Sequence, residues 1–170
     1  TFERNDKPIK AHFVSANLFR ELGAVPSLGR MLDASRDEVP GAEPVVVLSH
    51  GFWERSLGGD QSVPGRTIRL NGKPVTIAGI ASNEFSGLSL ESPDVWLPLT
   101  QQPYLVSESK LLTDYSVEGS GVTVWGRLQP GLTPQAAQDE LRALAANLRR
   151  QHPADIWENE TLPASAGAFA

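Results

Sequence analysis

The chain has no cysteine among its 170 residues. That removes a disulfide framework, a thiolate zinc site and a cysteine nucleophile from consideration. It also lacks any apolar run of about eighteen residues, so no segment reads as a membrane-spanning helix. Basic residues are in the minority, 15 Lys and Arg against 20 Asp and Glu, for a net charge of −5, and they form no stripe. This argues against nucleic acid as the main partner and against docking on anionic lipid through a polybasic patch. No signal-peptide pattern opens the chain. Its first segment, Thr1–Lys10, is charged and carries no initiator Met, as expected of a piece excised from a longer protein. On that expectation, the missing membrane helix says little about the parent.

What is present is ordinary for a globular protein: 40% hydrophobic and 21% charged residues. At this length the chain can bury a real core, as one compact domain or two small lobes. Fifteen glycines and 13 prolines supply plentiful turns.

The stretch Val45–Ile80, VVVLSHGFWERSLGGDQSVPGRTIRLNGKPVTIAGI, organises the rest. Val45–Leu48 shows no alternation, the pattern of a strand buried on both faces. Ser49 suits a helix N-cap, Phe52, Trp53 and Leu57 give that helix an apolar side, and Gly58-Gly59 ends it. Asn71-Gly72 suits a type I′ turn, in which both central residues take positive φ. A two-residue loop there pairs Ile68 with Val75 and Leu70 with Lys73. Pro74 then falls at a non-hydrogen-bonded pair, near an edge or at a point where the strand is unpaired.

Upstream, Phe2–Lys10 reads as a frayed strand or linker and Ala11–Val14 as a strand. Ser15 is expected to cap a short helix ended by Gly23. Val25–Arg30 is expected to be a Pro/Gly connector and Asp33–Pro44 a polar loop. Downstream, Ala81–Pro93 reads as a loop and Asp94–Leu99 as a short strand. Gln101–Ser120 has little periodicity and is long for a loop in a compact domain. Val122–Leu128 alternates as a strand does. Thr133-Pro134 opens the longest helix, with an apolar stripe of Ala137, Leu141, Leu144 and Leu148 and with Arg149 and Arg150 in its last turn. One more short strand is expected near Thr161–Leu162.

Candidate chemistries meet specific obstacles. A buried strand ending in Ser49-His50-Gly51 resembles the oxyanion loop of an α/β-hydrolase, but that fold also needs a G-x-S-x-G elbow, which is absent. Ser49 reads instead as a cap and His50 as an exposed first-turn residue. Asp33, Asp37, Glu38 and Glu43 lack calcium-loop spacing and read as a solvated acidic loop. His12, His50 and His152 include no pair at zinc-binding helical spacing. The stretches Leu57-Gly58-Gly59-Asp60 and Pro64-Gly65-Arg66 lack the G-K-[ST] of a phosphate loop. Trp53, Trp96, Trp125 and Trp157 read as core or rim aromatics, with a carbohydrate or peptide groove as the alternative. No catalytic, cofactor-binding or metal-ligating residue is assigned, and no cofactor is expected.

Taken together and in order, FVSANLFRELGAVPSLGRML, the Val45–Ile80 stretch, DVWLPLT, VTVWGRLQPGLTPQAAQDELRALAANL and TLPASAGAFA resemble the periplasmic core domain of MacB-like, FtsX-type ABC transporter permeases. The duplicated orphan permeases of acidobacteria are closest in style. The resemblance covers about residues 13–170. It implies an α+β fold of two small lobes. A mixed lobe built around the hairpin would take up about residues 25–120. It would be inserted into a porter-like βαβ lobe formed by about residues 1–24 and 121–170. The opening strand and helix of that second lobe are not recognised in this sequence. The resemblance further implies a non-enzymatic domain on the periplasmic face of the bacterial inner membrane. Such a domain would couple transmembrane motion to export. Its implied partners are a periplasmic adaptor protein or export substrate and a second permease copy in the full-length protein. The parent would be membrane-embedded and the fragment itself soluble. The alternatives are a free-standing periplasmic ligand- or protein-binding domain that uses the Gln101–Ser120 loop and, further off, a small hydrolase.

Overall fold

The computed structural model describes residues 2–4, 7–88, 92–113 and 122–153. The strands are β1 (Phe2–Arg4), β2 (Lys7–Ile9), β3 (Ala11–Val14), β4 (Pro26–Gly29), β5 (Val45–Leu48), β6 (Thr67–Leu70), β7 (Lys73–Ala81) and β8 (Val95–Pro98). The helices are α1 (Leu18–Glu21), α2 (Ala34–Asp37), α3 (His50–Leu57), α4 (Gln102–Leu105) and α5 (Pro134–Gln151). The chain divides into two compact units, Thr1–Ser109 and Lys110–Ala170.

The first unit is built on a mixed sheet in the order β3-β8-β5-β7-β4, with β6 also paired to β7. β5 runs parallel to β7 and antiparallel to β8, and β3 runs parallel to β8. All four residues of β5 are buried, as its unbroken apolar run predicts. Successive side chains leave a strand on opposite faces, so each face of the sheet needs its own cover. Val46 and Leu48 enter a core with Phe52, Ile77, Ile80 and Leu97, while Val45 and Val47 enter another with Phe19 and Trp96. The fold is therefore α+β with a sheet buried on both faces. β3 and α1, expected in the porter-like lobe, contribute to this sheet and its second core.

The hairpin has the predicted register: Ile68 opposite Val75, Arg69 opposite Pro74 and Leu70 opposite Lys73. Asn71 and Gly72 take φ of 50° and 75°. β5 pairs with β7 only from Thr76 onward, so Pro74 lies beyond the end of that neighbour and its missing N–H breaks no ladder. The turn is pinned from outside: Asn71 Nδ2 donates to Leu105 O at 3.3 Å, and the Lys73 ammonium donates to Tyr104 O and lies 5.0 Å from the Tyr104 ring centroid.

Four local expectations need correction. Asn17, not Ser15, occupies the N-cap position of the first short helix, and no side chain caps it; the Ser15 carbonyl accepts from Leu18 N. Pro26–Gly29, expected as a connector, is a strand against the end of β7. Gly29 and Gly79 face each other there, and a Cβ on Gly79 would lie 2.3 Å from Arg30 O. Two glycines permit that backbone approach. Within Asp33–Pro44, the Asp33 side chain caps α2 by accepting from Ser35 N. The fourth correction is Val122–Leu128, which enters no β-ladder among the described residues. A strand has no backbone bonds of its own, so alternation alone cannot hold one in place without a partner.

In the second unit α5 begins as its sequence predicts, with Thr133 Oγ1 accepting from Ala136 N at 3.2 Å and Pro134 in the first turn. Its stripe is only half-buried at Ala137, Leu141 and Leu148, and Leu144 is exposed. Val124 is 87% exposed. The expected Thr161–Leu162 strand lies outside the described residues, as does part of the Gln101–Ser120 loop. The described start of that loop is a 3-10 turn (Leu99–Gln101) and α4.

Candidate functional site

The end of β5 and the start of α3 carried the sharpest chemical suggestion. Ser49 is buried, and its Oγ accepts from Phe52 N at 3.3 Å. That bond uses the hydroxyl as a helix cap, in the manner its position predicts. His50 is half-buried, not exposed as expected. Its ring stands edge-on to Trp53 at 5.2 Å, and its Nδ1 lies 3.6 Å from Glu54 Oε2 on the next turn. At that separation the contact is too long for a hydrogen bond. These side chains complete a helix start and do not assemble a nucleophile and base.

Asp94 joins three elements at this end of the sheet. Its Oδ2 accepts from Lys10 N at 2.9 Å, its Oδ1 from Arg55 Nη2 at 3.0 Å, and its carbonyl from Ser49 N at 2.9 Å. Gln101 plays the same part at the other end of β5. Its Oε1 accepts from Val45 N at 3.1 Å and its Nε2 donates to Glu43 O at 3.3 Å. Neither role was legible in the sequence, because the partners of each lie tens of residues away.

The acidic loop is not a uniformly solvated face. Asp37 is buried and forms a fork with Arg30, with Nη1–Oδ2 and Nη2–Oδ1 both at 2.7 Å, and Asp33 N donates to Asp37 Oδ2 at 2.8 Å. The hydrogen bonds that Arg30 donates to Asp37 hold its guanidinium above its ordinary pKa against the opposing effect of burial. Bonds from the Ser35 hydroxyl and amide hold Asp33 below the usual carboxylate range. Glu38 ends α2 through its backbone N–H, which donates to Ala34 O, and among the described residues no three acidic or histidine groups come together as a metal site. His12 lies on β3 and His152 caps α5.

The Gly-rich segment after α3 is turn chemistry. Gly58 takes a φ of 63° as the helix ends. Asp60 Oδ1 accepts from Ser62 N and Oγ at 2.9 and 2.7 Å, and Oδ2 from Arg66 at 2.7 Å. The Ser62 hydroxyl, its amide and Arg66 together lower the Asp60 pKa. Within the first unit, Trp53 and Trp96 lie in different cores. Trp96 is buried with Phe19 and Phe85 at centroid distances of 5.8 and 5.3 Å, whereas Trp53 packs on the other core and donates Nε1–H to Asp60 O. Trp125 is on the exposed segment of the second unit, and Trp157 lies outside the described residues. Among the described residues no helix is long and apolar enough to cross a membrane.

The polar groups that sequence reasoning singled out thus serve caps, turns and ion pairs. What decides the class of the protein is a comparison of the whole chain. The profile of the MacB-like periplasmic core domain matches residues 1–144.

The chain belongs to that family.

This MacB-like domain shares its fold with three solved structures. One is the periplasmic region of MacB from Actinobacillus actinomycetemcomitans, 15% identical, with a TM-score of 0.57 over 91% of this chain and 64% of that one. Another is a domain of a permease protein from Porphyromonas gingivalis, 17% identical, with a TM-score of 0.52 over 89% of this chain and 64% of that one. The third is the extracellular domain of the noncanonic ABC-type transporter YknZ from Gram-positive bacteria. It is 12% identical, with a TM-score of 0.57 over 91% of this chain and 72% of that one. The chain therefore spans about two thirds of the length of the domains it matches. No curated protein sequence matches it.

Proposed function

We propose that this MacB-like domain sits on the extracytoplasmic side of the inner membrane, as part of a membrane-embedded ABC-type permease. There it couples movement of the membrane helices to export or to a periplasmic partner, an adaptor protein or the exported substrate, without chemistry of its own. In this reading the first unit is the inserted lobe, and the second unit belongs to the porter-like lobe together with polypeptide outside this sequence. The family match over residues 1–144 carries the proposal. The half-covered stripe of α5 and the alternating but unladdered residues 122–128 support the lobe assignment. Both have the composition of parts that pack against further layers.

The missing cysteine makes a direct test simple. Gln61 is exposed on the turn after α3, and Gln61→Cys places the only thiol of this domain there. In cells with a permeabilised outer membrane and an intact inner membrane, a membrane-impermeant maleimide should label the domain in the parent protein. Labelling only after the inner membrane is broken would refute the location. Coupling predicts that Leu141→Asp in α5 abolishes export by the assembled transporter while ATP hydrolysis continues. Unchanged export would remove coupling through this unit.

A further inference from the structure

The first compact unit ends at Ser109. The segment that leads there, residues 99–106, is tied to the sheet on several sides. Gln101 bonds Val45 N and Glu43 O, and the Tyr104 hydroxyl donates to Pro74 O at 3.2 Å. Leu105 is buried in the core, and its carbonyl accepts from Asn71. A segment held in this way resists a change of direction, so any such change falls on the residues that follow it.

Those residues form one turn. Ser109 N donates to Val106 O at 3.3 Å, and the Ser109 hydroxyl donates to Oε1 of the buried Gln102. The third residue of the turn, Glu108, takes a φ of 64°. Gly is the residue suited to a left-handed third position. At every other residue of positive φ among the described residues, the chain places Gly or, in the hairpin, Asn71. Glu108 is exposed, and among the described residues its side chain makes no ion pair or hydrogen bond that offsets the strained backbone. Strain of this kind persists where surrounding bonds over-determine it, and it concentrates at switch regions. Here the Ser109 bonds hold the turn against the strain. The net worth of two such bonds is of the same order as the strain they oppose. In the extended region a glutamate is unstrained. The turn therefore has two arrangements of similar energy.

We propose that residues 106–109 are a two-state hinge that sets the direction in which the chain leaves the first unit. In the closed state Glu108 is left-handed and Ser109 is bonded to Val106 and Gln102. In the open state Glu108 is extended and those bonds are released to water. Hinges of this kind are a few loop residues that absorb a large backbone change between rigid parts. The hinge is a property of the turn and does not rest on the permease reading, which the maleimide experiment tests separately.

The test uses the full chain. Amide hydrogen exchange followed by NMR reads the closed fraction at Ser109, whose N–H the closed turn engages. Glu108→Gly removes the steric cost and should slow exchange there about tenfold. Ser109→Ala keeps the amide but removes the hydroxyl, and should speed exchange at that position. Val106, whose amide donates to Gln102 O at 2.9 Å, should keep its protection in both variants. Glu108→Pro forbids the left-handed conformation and should hold the hinge open. Spin labels at Gln61→Cys and Ala143→Cys, in this cysteine-free chain, should then give different distance distributions in the Glu108→Gly and Glu108→Pro backgrounds. Exchange at Ser109 unchanged by Glu108→Gly, or identical distance distributions in the two backgrounds, would overturn the proposal. The exchange arm decides the matter alone if Glu108→Pro fails to fold.

Discussion

Replacing Asp37 should destabilise the first unit far more than replacing any other acidic residue in its loop. The side chain is 2% exposed and accepts three hydrogen bonds, two from Arg30 at 2.7 Å and one from Asp33 N at 2.8 Å. Asp37→Ala leaves a guanidinium and a backbone N–H without their acceptor. Breaking a buried ion pair from one side costs about 3–5 kcal/mol. The Arg30 side chain is 30% exposed, so water recovers part of that loss. The expected cost is therefore about 2–3 kcal/mol, which corresponds to a fall in Tm of about 10 °C for a unit of this size. Asp37→Asn keeps the shape but turns an amide NH2 toward a guanidinium, and should recover less than half of the loss. Arg30→Met with Asp37→Leu removes both charges and should be close to neutral. Urea unfolding with a double-mutant cycle measures the coupling. A cost under about 0.5 kcal/mol for Asp37→Ala, the range of an ordinary surface substitution, would show that the fork is not a structural clamp. A double variant as unstable as the single one would show that the loss comes from packing and not from the stranded charge.

Gly79→Ala should cost about 1–3 kcal/mol or more. Its Cβ would meet backbone atoms of Arg30 and Leu28 at 2.3–2.6 Å, and β4 must move to admit it; a Tm unchanged by the substitution would show that β4 does not approach β7 as described. Stability should also decline as the pH falls below about 4. The folded-state pKa values of Asp33 and Asp60 lie below the ordinary 3.8, so the unfolded chain takes up protons first, and the contribution present above that value is lost as pH falls through the lowered ones. The double variant Asp33→Asn, Asp60→Asn should show a shallower acid limb in urea titrations, and an identical limb would show that neither carboxylate is held by its serine.

The sequence by itself determined the elements whose physics is local. A type I′ turn needs positive φ at two adjacent residues, and Asn71-Gly72 meets that need, so the hairpin register followed from two letters. Ser49 and Thr133 stand immediately before the first residues of their helices, where a hydroxyl can satisfy an exposed helix N–H. The unbroken apolar run of β5 required cover on both faces. The ordered set of such segments also carried the family.

Only the tertiary structure decided what distant residues do for one another. Nothing near Asp37 in the sequence separates a solvated carboxylate from one clamped by Arg30, since both stand in a polar loop. Pro26–Gly29 became a strand because two glycines let it approach β7, a fact about the pair and not about either segment. Val122–Leu128 has a strand's alternation and enters no ladder among the described residues, because a strand exists only with its neighbour. Pairing, burial and electrostatic environment belong to the assembled chain, and only there do Arg30 and Asp37, or Gly29 and Gly79, become partners.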